Sequence, residues 1–368
     1  MDFVFSDEQL AVRELAAQIF AGHATVERIK QIEASADRVD RDLWARLATA
    51  NLLGIALPEA HGGSGLGMVG LCLLLQEQGR RLAPVPLLPT LALGALPLVE
   101  FGTADQKTAW LPGVISGDVI LTAALVEAGS LEPAEPQVTI DADAKLTGTK
   151  LAVPAGHIAD RVLVPAATSD GVGVYIVDPR GEGVTIEFVD TTDHQGAARL
   201  TFAGAPTEGT VGGPGDGVAV TQRIADLGRV ALAAMQLGVA EEALRLAAEY
   251  TSGRLQFGKP LSTFQGVSLR AADAFIDMSA MEVTLWQAAW RLDEGLDASQ
   301  EIAIAKWWAA EGGERVVHAT QHLHGGMGAD VDYPVHRYFL WGKQIADTLG
   351  GASSQLARLG AEIAAAYR

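Results

Sequence analysis

The strongest constraint on the fold is a double switch in hydrophobic period. Residues up to about 117 carry helical patterns, residues from about 118 to 215 carry short β-branched runs, and residues from 216 onward are helical again. A 3.6-residue apolar repeat buries one face of a helix and a two-residue repeat buries one face of a strand. Neither stretch can adopt the other's structure without exposing its apolar set. The pattern predicts an α+β chain with an N-terminal helical domain (1–117), a middle β domain of sandwich or barrel type (118–215) and a C-terminal helical domain (216–368). At 368 residues the chain also exceeds the roughly 250–300 residues that one hydrophobic core usually serves.

Local signals fill in this outline. Ser6-Asp7-Glu8-Gln9 reads as a capping box, after which Val12, Leu15, Ala16 and Ile19 recur on one helical face. Further helical patterns cover residues 41–50, 68–81 and 89–99, separated by the glycine-rich loop 62–67 and by Pro84, Pro86 and Pro89. Strands are expected at Val162-Leu163-Val164, Val174-Tyr175-Ile176-Val177, Val184-Thr185-Ile186-Glu187-Phe188 and Leu200-Thr201-Phe202, closing near Gly212-Gly213-Pro214-Gly215. The last region is helical, with Trp286, Trp290, Trp307 and Trp308 on long amphipathic stretches.

Charge and cysteine content narrow the function. A formal charge of -18 repels phosphate backbones and anionic lipid surfaces, which disfavours nucleic-acid and membrane partners. The single cysteine, Cys72, lies in the apolar run 69–75 and permits neither an intramolecular disulfide nor a thiolate metal cluster. The acidic, helix-patterned start and the absence of a long unbroken apolar run predict a cytoplasmic protein.

Arg254-Leu255-Gln256-Phe257-Gly258-Lys259-Pro260 stands at the end of the apolar helical run 229–250 and is followed by Phe264-Gln265. Gly253 suits the left-handed geometry of a helix C-terminus. A guanidinium offers a planar fork of donors to phosphate, and a nearby glycine lets the backbone approach it. The stretch reads either as a grip for a nucleotide cofactor or as an exposed basic turn between two helices.

Further motifs accompany it in order along the chain: the opening Phe3-Val4-Phe5-Ser6-Asp7-Glu8-Gln9, the loop Leu57-Pro58-Glu59-Ala60-His61-Gly62-Gly63-Ser64-Gly65, His324-Gly325-Gly326-Met327-Gly328, and Tyr333-Pro334-Val335. Together with Arg254-x-x-Phe257-Gly258 and Gln265 they resemble the acyl-CoA dehydrogenase family. That resemblance implies a C-terminal four-helix bundle and an FAD cofactor shared between subunits. It also implies a reaction in which a carboxylate base removes the proton alpha to a CoA thioester while hydride leaves the beta carbon. Arg254, Gln256, Phe257, Gln265, His322, Gly325 and Gly326 are then the expected cofactor-binding residues. His322 replaces the family's usual glutamine, and an imidazole there can still donate one hydrogen bond. His322 and His324 lack a third ligand nearby, so no metal site is expected.

The family's catalytic residues are missing. Its glutamate stands in one of two places, which hold Leu349 or Gly350 and Gly228 here, and none of these takes a proton. Asp347 and Asp226 lie close in sequence but are expected to be surface or capping residues. Val126-Glu127-Ala128-Gly129-Ser130-Leu131 lacks the hydroxyl that the family places on the flavin ring, and Ala152-Val153-Pro154 replaces its Trp-Ile-Thr. By this resemblance, the retained residues are those that would serve a neighbour's FAD, and the lost ones those that would serve the chain's own. The pattern resembles the base-less subunit of actinobacterial heterotetrameric steroid side-chain acyl-CoA dehydrogenases. It implies a related partner chain carrying the glutamate, an acyl-CoA substrate and an electron-transferring flavoprotein as acceptor, with no catalytic residue in this chain. A homotetrameric enzyme with a displaced base and a flavin-free assembly or acyl-CoA-binding subunit stay open as alternatives.

Overall fold

The computed structural model describes residues 4–130 and 132–366; Phe3 and Leu131, quoted above, lie outside them. Helices run to Ser116, strands from Leu121 to Val211, and helices from Gly217 onward. The described residues fall into two compact units. One comprises Met1–Ile29, Met68–Ala83 and Arg229–Arg368, the other Lys30–Gly67 and Pro84–Gly228.

In the first unit, the helix Asp7–His23 opens with the expected capping box. The Ser6 amide donates to Gln9 Oε1 (3.0 Å) and the Gln9 amide donates to Ser6 Oγ (3.2 Å). Its buried face differs from the expected one: Ala16 and Phe20 are fully buried, whereas Leu15 is 39% exposed. The aromatic ring has more apolar area to bury than Leu15, and it sets the rotation of the helix. The ring of Phe5, just before this helix, packs edge-on against Trp286 at 4.9 Å.

The helix Gly67–Arg81 receives its N-terminal cap from a distant residue: the Asp293 carboxylate accepts from the Met68 and Val69 amides (2.5 and 2.9 Å). It crosses the long helix Gly217–Gly253 at backbone contact. A Cβ on Gly79 would lie 2.1 Å from the Met235 carbonyl oxygen, and one on Gly238 would lie 1.8 Å from that of Gln76. The bundle continues with Gln265–Asp293, then with Ser299–Trp307, which passes through a π-helical turn at Trp308–Gly312 into Gly313–Leu323. Val335–Asp347 and Ala352–Ala366 complete it. Cys72 is buried in the first of these helices, and burial pushes its thiol well above the usual range.

In the second unit, Asp40 caps the helix Arg41–Thr49, and the Trp44 indole donates to the Gly117 carbonyl at 2.9 Å. The residues expected to be helical at 89–99 form a wide π-helical segment, Leu88–Ala95, followed by the α-helix Leu96–Phe101. The strands are β1 (Leu121–Ala123), β2 (Thr139–Ile140), β3 (Lys145–Pro154), β4 (Arg161–Thr168), β5 (Gly171–Val177), β6 (Val184–Val189), β7 (Ala197–Pro206) and β8 (Gly209–Val211). They join in one sheet of order β6-β7-β3-β2-β4-β5-β8, with β1 added parallel to β4. All four expected strands are present. The longest pairing, β3 with β7, involves a strand that its mixed pattern hid. At its centre the fully buried Lys150 is paired with the Glu127 carboxylate, which also accepts from the Gln137 and Val138 amides.

No helix among the described residues is long and apolar enough to cross a membrane. The glycines give a stability test. Gly238→Ala should destabilise the protein by about 1–3 kcal/mol through overpacking at the helix crossing. Gly253 lies within the helix at negative φ with nothing within 4 Å of its Cβ, so Gly253→Ala should leave stability unchanged or raise it by about 0.4–1 kcal/mol. Urea midpoints of the two variants check this; equal effects would contradict the backbone contact.

Candidate functional site

The helix Gly217–Gly253 does not stop on a left-handed glycine, as the sequence suggested. Gly253 is helical, and the reversal comes four residues later. Leu255–Gln256 and Lys259–Pro260 pair as a two-stranded hairpin whose two central residues, Phe257 (φ 55°) and Gly258 (φ 79°), both lie in the left-handed region. Such a pair of positive φ values is what a two-residue hairpin of this hand requires. Glycine accepts it freely, whereas a bulky residue accepts it at a cost. Phe257 is also 90% exposed. A strained aromatic residue held out into solvent adds little to the core of its own chain.

Every expected cofactor-binding residue lies on an exposed part of the first unit: Arg254, Gln256, Phe257, Gln265, His322, Gly325 and Gly326. Among the described residues the Arg254 guanidinium meets no carboxylate and no carbonyl. Gln265 opens the next helix, reached through Leu261, whose amide donates to the Arg254 carbonyl (3.0 Å). Lys259 Nζ sits 4.3 Å from the centroid of Phe264, and the rings of Phe257 and Phe264 are 6.1 Å apart. The hairpin is thus pinned to the start of the helix Gln265–Asp293.

The turn Gly325–Ala329 follows the helix Gly313–Leu323. Gly325 is left-handed (φ 59°), and a Cβ at Gly325 or Gly326 would meet nothing within 4 Å. Gly328 faces the other way, with its Cβ position 2.5 Å from the Gln321 carbonyl oxygen, so the turn folds back onto its own helix. The two open glycines therefore offer bare backbone outward. His324, just before them, is buried, and its ring stacks on Tyr250 at 4.8 Å, one turn of helix before Arg254. That contact brings the hairpin and the glycine turn together.

An unpaired guanidinium, exposed amides, an outward aromatic ring and open glycine backbone are the donor set for a phosphate-bearing, ring-containing ligand. The residues present fit the pyrophosphate and adenosine end of FAD. Among the described residues no three His, Cys, Asp or Glu side chains converge to hold a metal ion.

The loop after Val335–Asp347, where the resemblance places a carboxylate base, is built from left-handed residues and buried donors. Leu349 (φ 57°) and Gly350 (φ 96°) are left-handed. Arg229 Nε donates to the Leu349 carbonyl (3.3 Å), and Gln355 Nε2 donates to the Leu349 and Gly350 carbonyls (both 3.1 Å). Lys306, fully buried, donates from Nζ to the Ile345 and Ala346 carbonyls at 3.1 and 2.9 Å. Burial, aided by the Arg229 charge and opposed by Asp347, pulls the Lys306 ammonium down to about 7. Asp347 itself is exposed at the end of its helix. Sequence reasoning missed this triad of donors, because they come from three separate elements. The one local signal was a lysine among the apolar residues of 302–308.

In the second unit, the residues that replace the flavin-facing motifs serve the sheet. The Leu151 amide donates to the Val126 carbonyl (2.8 Å), and the Pro154 carbonyl accepts from Thr122 Oγ1 (2.7 Å). Ala152 sits in a bulge at φ 45°, and Glu127 is committed to Lys150.

The buried lysine makes a pH prediction. Lys306 releases its proton near pH 7 in the fold but near 10.5 once unfolded, so the unfolded chain binds more protons between those values. Its contribution to stability is complete above the unfolded value and is lost as pH falls through the folded one. The urea midpoint of the wild type relative to Lys306→Met should therefore rise as pH is raised from about 7 to about 9. Parallel curves would show that the amine is not buried as described.

The chain matches the family model "Acyl-CoA dehydrogenase, N-terminal domain" over residues 6–118 and "Acyl-CoA dehydrogenase, C-terminal domain" over residues 215–364. It is 38% identical to the acyl-CoA dehydrogenase FadE27 of Mycobacterium tuberculosis over 99% of both chains. A variant of the Tcur3481-Tcur3483 steroid ACAD has a similar solved structure, with TM-score 0.93 and 49% identity over 98% of this chain and 99% of that one. The ChsE4-ChsE5 complex from Mycobacterium tuberculosis gives TM-score 0.93 and 38% identity over 99% of both chains.

Proposed function

The chain belongs to the acyl-CoA dehydrogenase family, and on that premise we propose that it is one subunit of an FAD-dependent enzyme whose catalytic glutamate is supplied by a related partner chain. In this reading the chain works in the cytoplasm on the CoA thioester of a steroid side chain. Electrons pass on to an electron-transferring flavoprotein.

The observation that carries the reading is an asymmetry within the chain. The residues for the nucleotide end of FAD are present and exposed, led by Arg254, whose guanidinium meets no carboxylate or carbonyl among the described residues. The two places for a base hold Leu349 or Gly350 and Gly228, and the carbonyls of the 349–350 loop are already engaged by Arg229 and Gln355. A general base must reach the proton it removes, and neither position offers an ionisable group. FAD, when bound, supplies the hydride acceptor. The chain's own part is to orient that cofactor: Arg254 holds phosphate oxygens, Gln256, Gln265 and His322 donate around the nucleotide, and Gly325-Gly326 gives backbone access. Phe257 covers an apolar part of the same ligand. The steroid assignment draws on the described relatives, one of which is called a steroid ACAD and one of which is a two-chain complex.

Counting flavin in material co-purified with its partner tests the division of labour. The expected ratio is about 0.5 FAD per polypeptide, with none on this chain purified alone. Arg254→Ala in the complex should weaken FAD binding by about ten- to a hundredfold, the loss expected for a charge-assisted phosphate contact. One FAD per chain, together with dye reduction by this chain alone in the presence of an acyl-CoA, would overturn the proposal.

A further inference from the structure

The two halves of the cofactor grip, the Arg254 hairpin and the Gly325-Gly326 turn, come from elements far apart in sequence. What joins them is a cluster of three rings that no expected contact residue includes. The His324 ring lies nearly parallel to Tyr250 (4.8 Å between centroids, 28° between planes), and Tyr333 packs tilted against it at 5.3 Å and 53°. Tyr250 and Tyr333 are themselves 6.4 Å apart. Each ring is attached to a different motif. The Tyr250 carbonyl accepts from the Arg254 amide (2.9 Å), His324 adjoins Gly325, and Tyr333 begins the Tyr-Pro-Val segment. His324 is 1% exposed, and its Nδ1–H donates to the Thr320 carbonyl (2.7 Å), which fixes the ring at the end of its helix. Its Nε2 is buried without a hydrogen-bond partner.

We propose that His324 is a positioning residue for the cofactor: packed against both Tyr250 and Tyr333, its neutral ring fixes the distance from Arg254 to the Gly325-Gly326 turn, and protonating it loosens the grip on FAD. The inference rests on the reading of this face as an FAD site. Close ring packing limits how far the glycine turn can move from the hairpin, a restraint that an exposed turn lacks on its own. Burial holds the imidazole below the usual histidine range, against the pull of the Thr320 and Leu246 carbonyls. The neutral form is the one the fold prefers, so the joint is intact above the ordinary histidine range and is lost as pH falls through the lowered value. Other titratable groups near the rings are Arg245 and Glu249, paired with each other on the helix that carries Tyr250, and Glu242, paired with Arg245. His336 Nδ1–H donates to the Tyr333 carbonyl (2.7 Å), and His322 is exposed on the last turn before His324.

The test uses the co-purified complex loaded with FAD and follows free-flavin fluorescence after dilution, from about pH 7.5 to about pH 5. The wild type should release FAD increasingly as the pH falls. His324→Phe keeps a ring against the two tyrosines but does not titrate; it should hold FAD within about threefold of wild type at neutral pH and lose the acid release. His324→Ala, which removes the ring from the cluster, should bind FAD at least about tenfold more weakly at every pH. A His324→Phe complex that releases FAD in acid as the wild type does, or a His324→Ala complex that retains it, overturns the proposal. Should His324→Ala fail to fold by circular dichroism, the pH profile of His324→Phe decides alone. Arg254→Ala is run alongside: if it leaves FAD in place, the FAD reading of this face is wrong. If it releases FAD while the His324 variants behave as wild type, only the positioning role is wrong.

Discussion

The carbonyl oxygens of Gln76 and Met235 occupy the places where side chains would begin on Gly238 and Gly79. The helices Gly67–Arg81 and Gly217–Gly253 therefore touch backbone to backbone, with no side-chain layer to slide on. Interiors packed at this density behave as fixed contacts rather than adjustable ones. Fixing the middle of the long helix also fixes its far end, which carries Tyr250, Arg254 and the Phe257 hairpin. The same helix Gly67–Arg81 is held at its start by Asp293 and at its end by the Tyr338 hydroxyl, which donates to the Arg80 carbonyl. The exposed grip thus inherits its rigidity from contacts inside the bundle.

Buried charge is used in two different ways. In the sheet, Lys150 and Glu127 neutralise each other, and the spare carboxylate lone pairs meet backbone amides, so the pair is satisfied where it lies. In the bundle, Lys306 has no carboxylate in contact; it closes the carbonyl end of the helix Val335–Asp347 and sits near Arg229, also buried. A buried ammonium on helix carbonyls gains from the helix dipole but is poorly solvated. Together with Gln355, these cations engage the backbone through the 345–350 segment, where a carboxylate would have been expected to point. The loop carbonyls are held by Arg229 and Gln355, and the loop presents a leucine and a glycine.

Much of the fold was legible from the sequence. The period switches located the helical and strand regions, the Ser6–Gln9 box began its helix where expected, and the four β-branched runs all became strands, because these signals depend on neighbours within one turn or one hairpin. The errors have the same origin. Leu15 fitted the helical pattern, but the choice of buried face was settled by Phe20 and its distant contacts. Gly253 looked like a helix stop, yet the stop came from the Phe257-Gly258 turn, whose hand is set by pairing of the strands on either side. β3 was hidden because Lys150 breaks its apolar alternation, and Lys150 is tolerated only through Glu127.

The candidate grip divides along the same line. Arg254, Gln256, Phe257, Gln265, His322, Gly325 and Gly326 could be named from residue type and order, since a guanidinium, amides and open glycines carry their chemistry wherever they stand. Their exposure, the packing of His324 against Tyr250 and Tyr333, and the Lys306, Arg229 and Gln355 donors to the 345–350 backbone were decided by tertiary structure alone. Several of those contacts join residues far apart in the chain, Arg229 and Leu349 by 120 positions, and the energy of a ring contact or a buried hydrogen bond depends on a separation in space that local sequence does not encode.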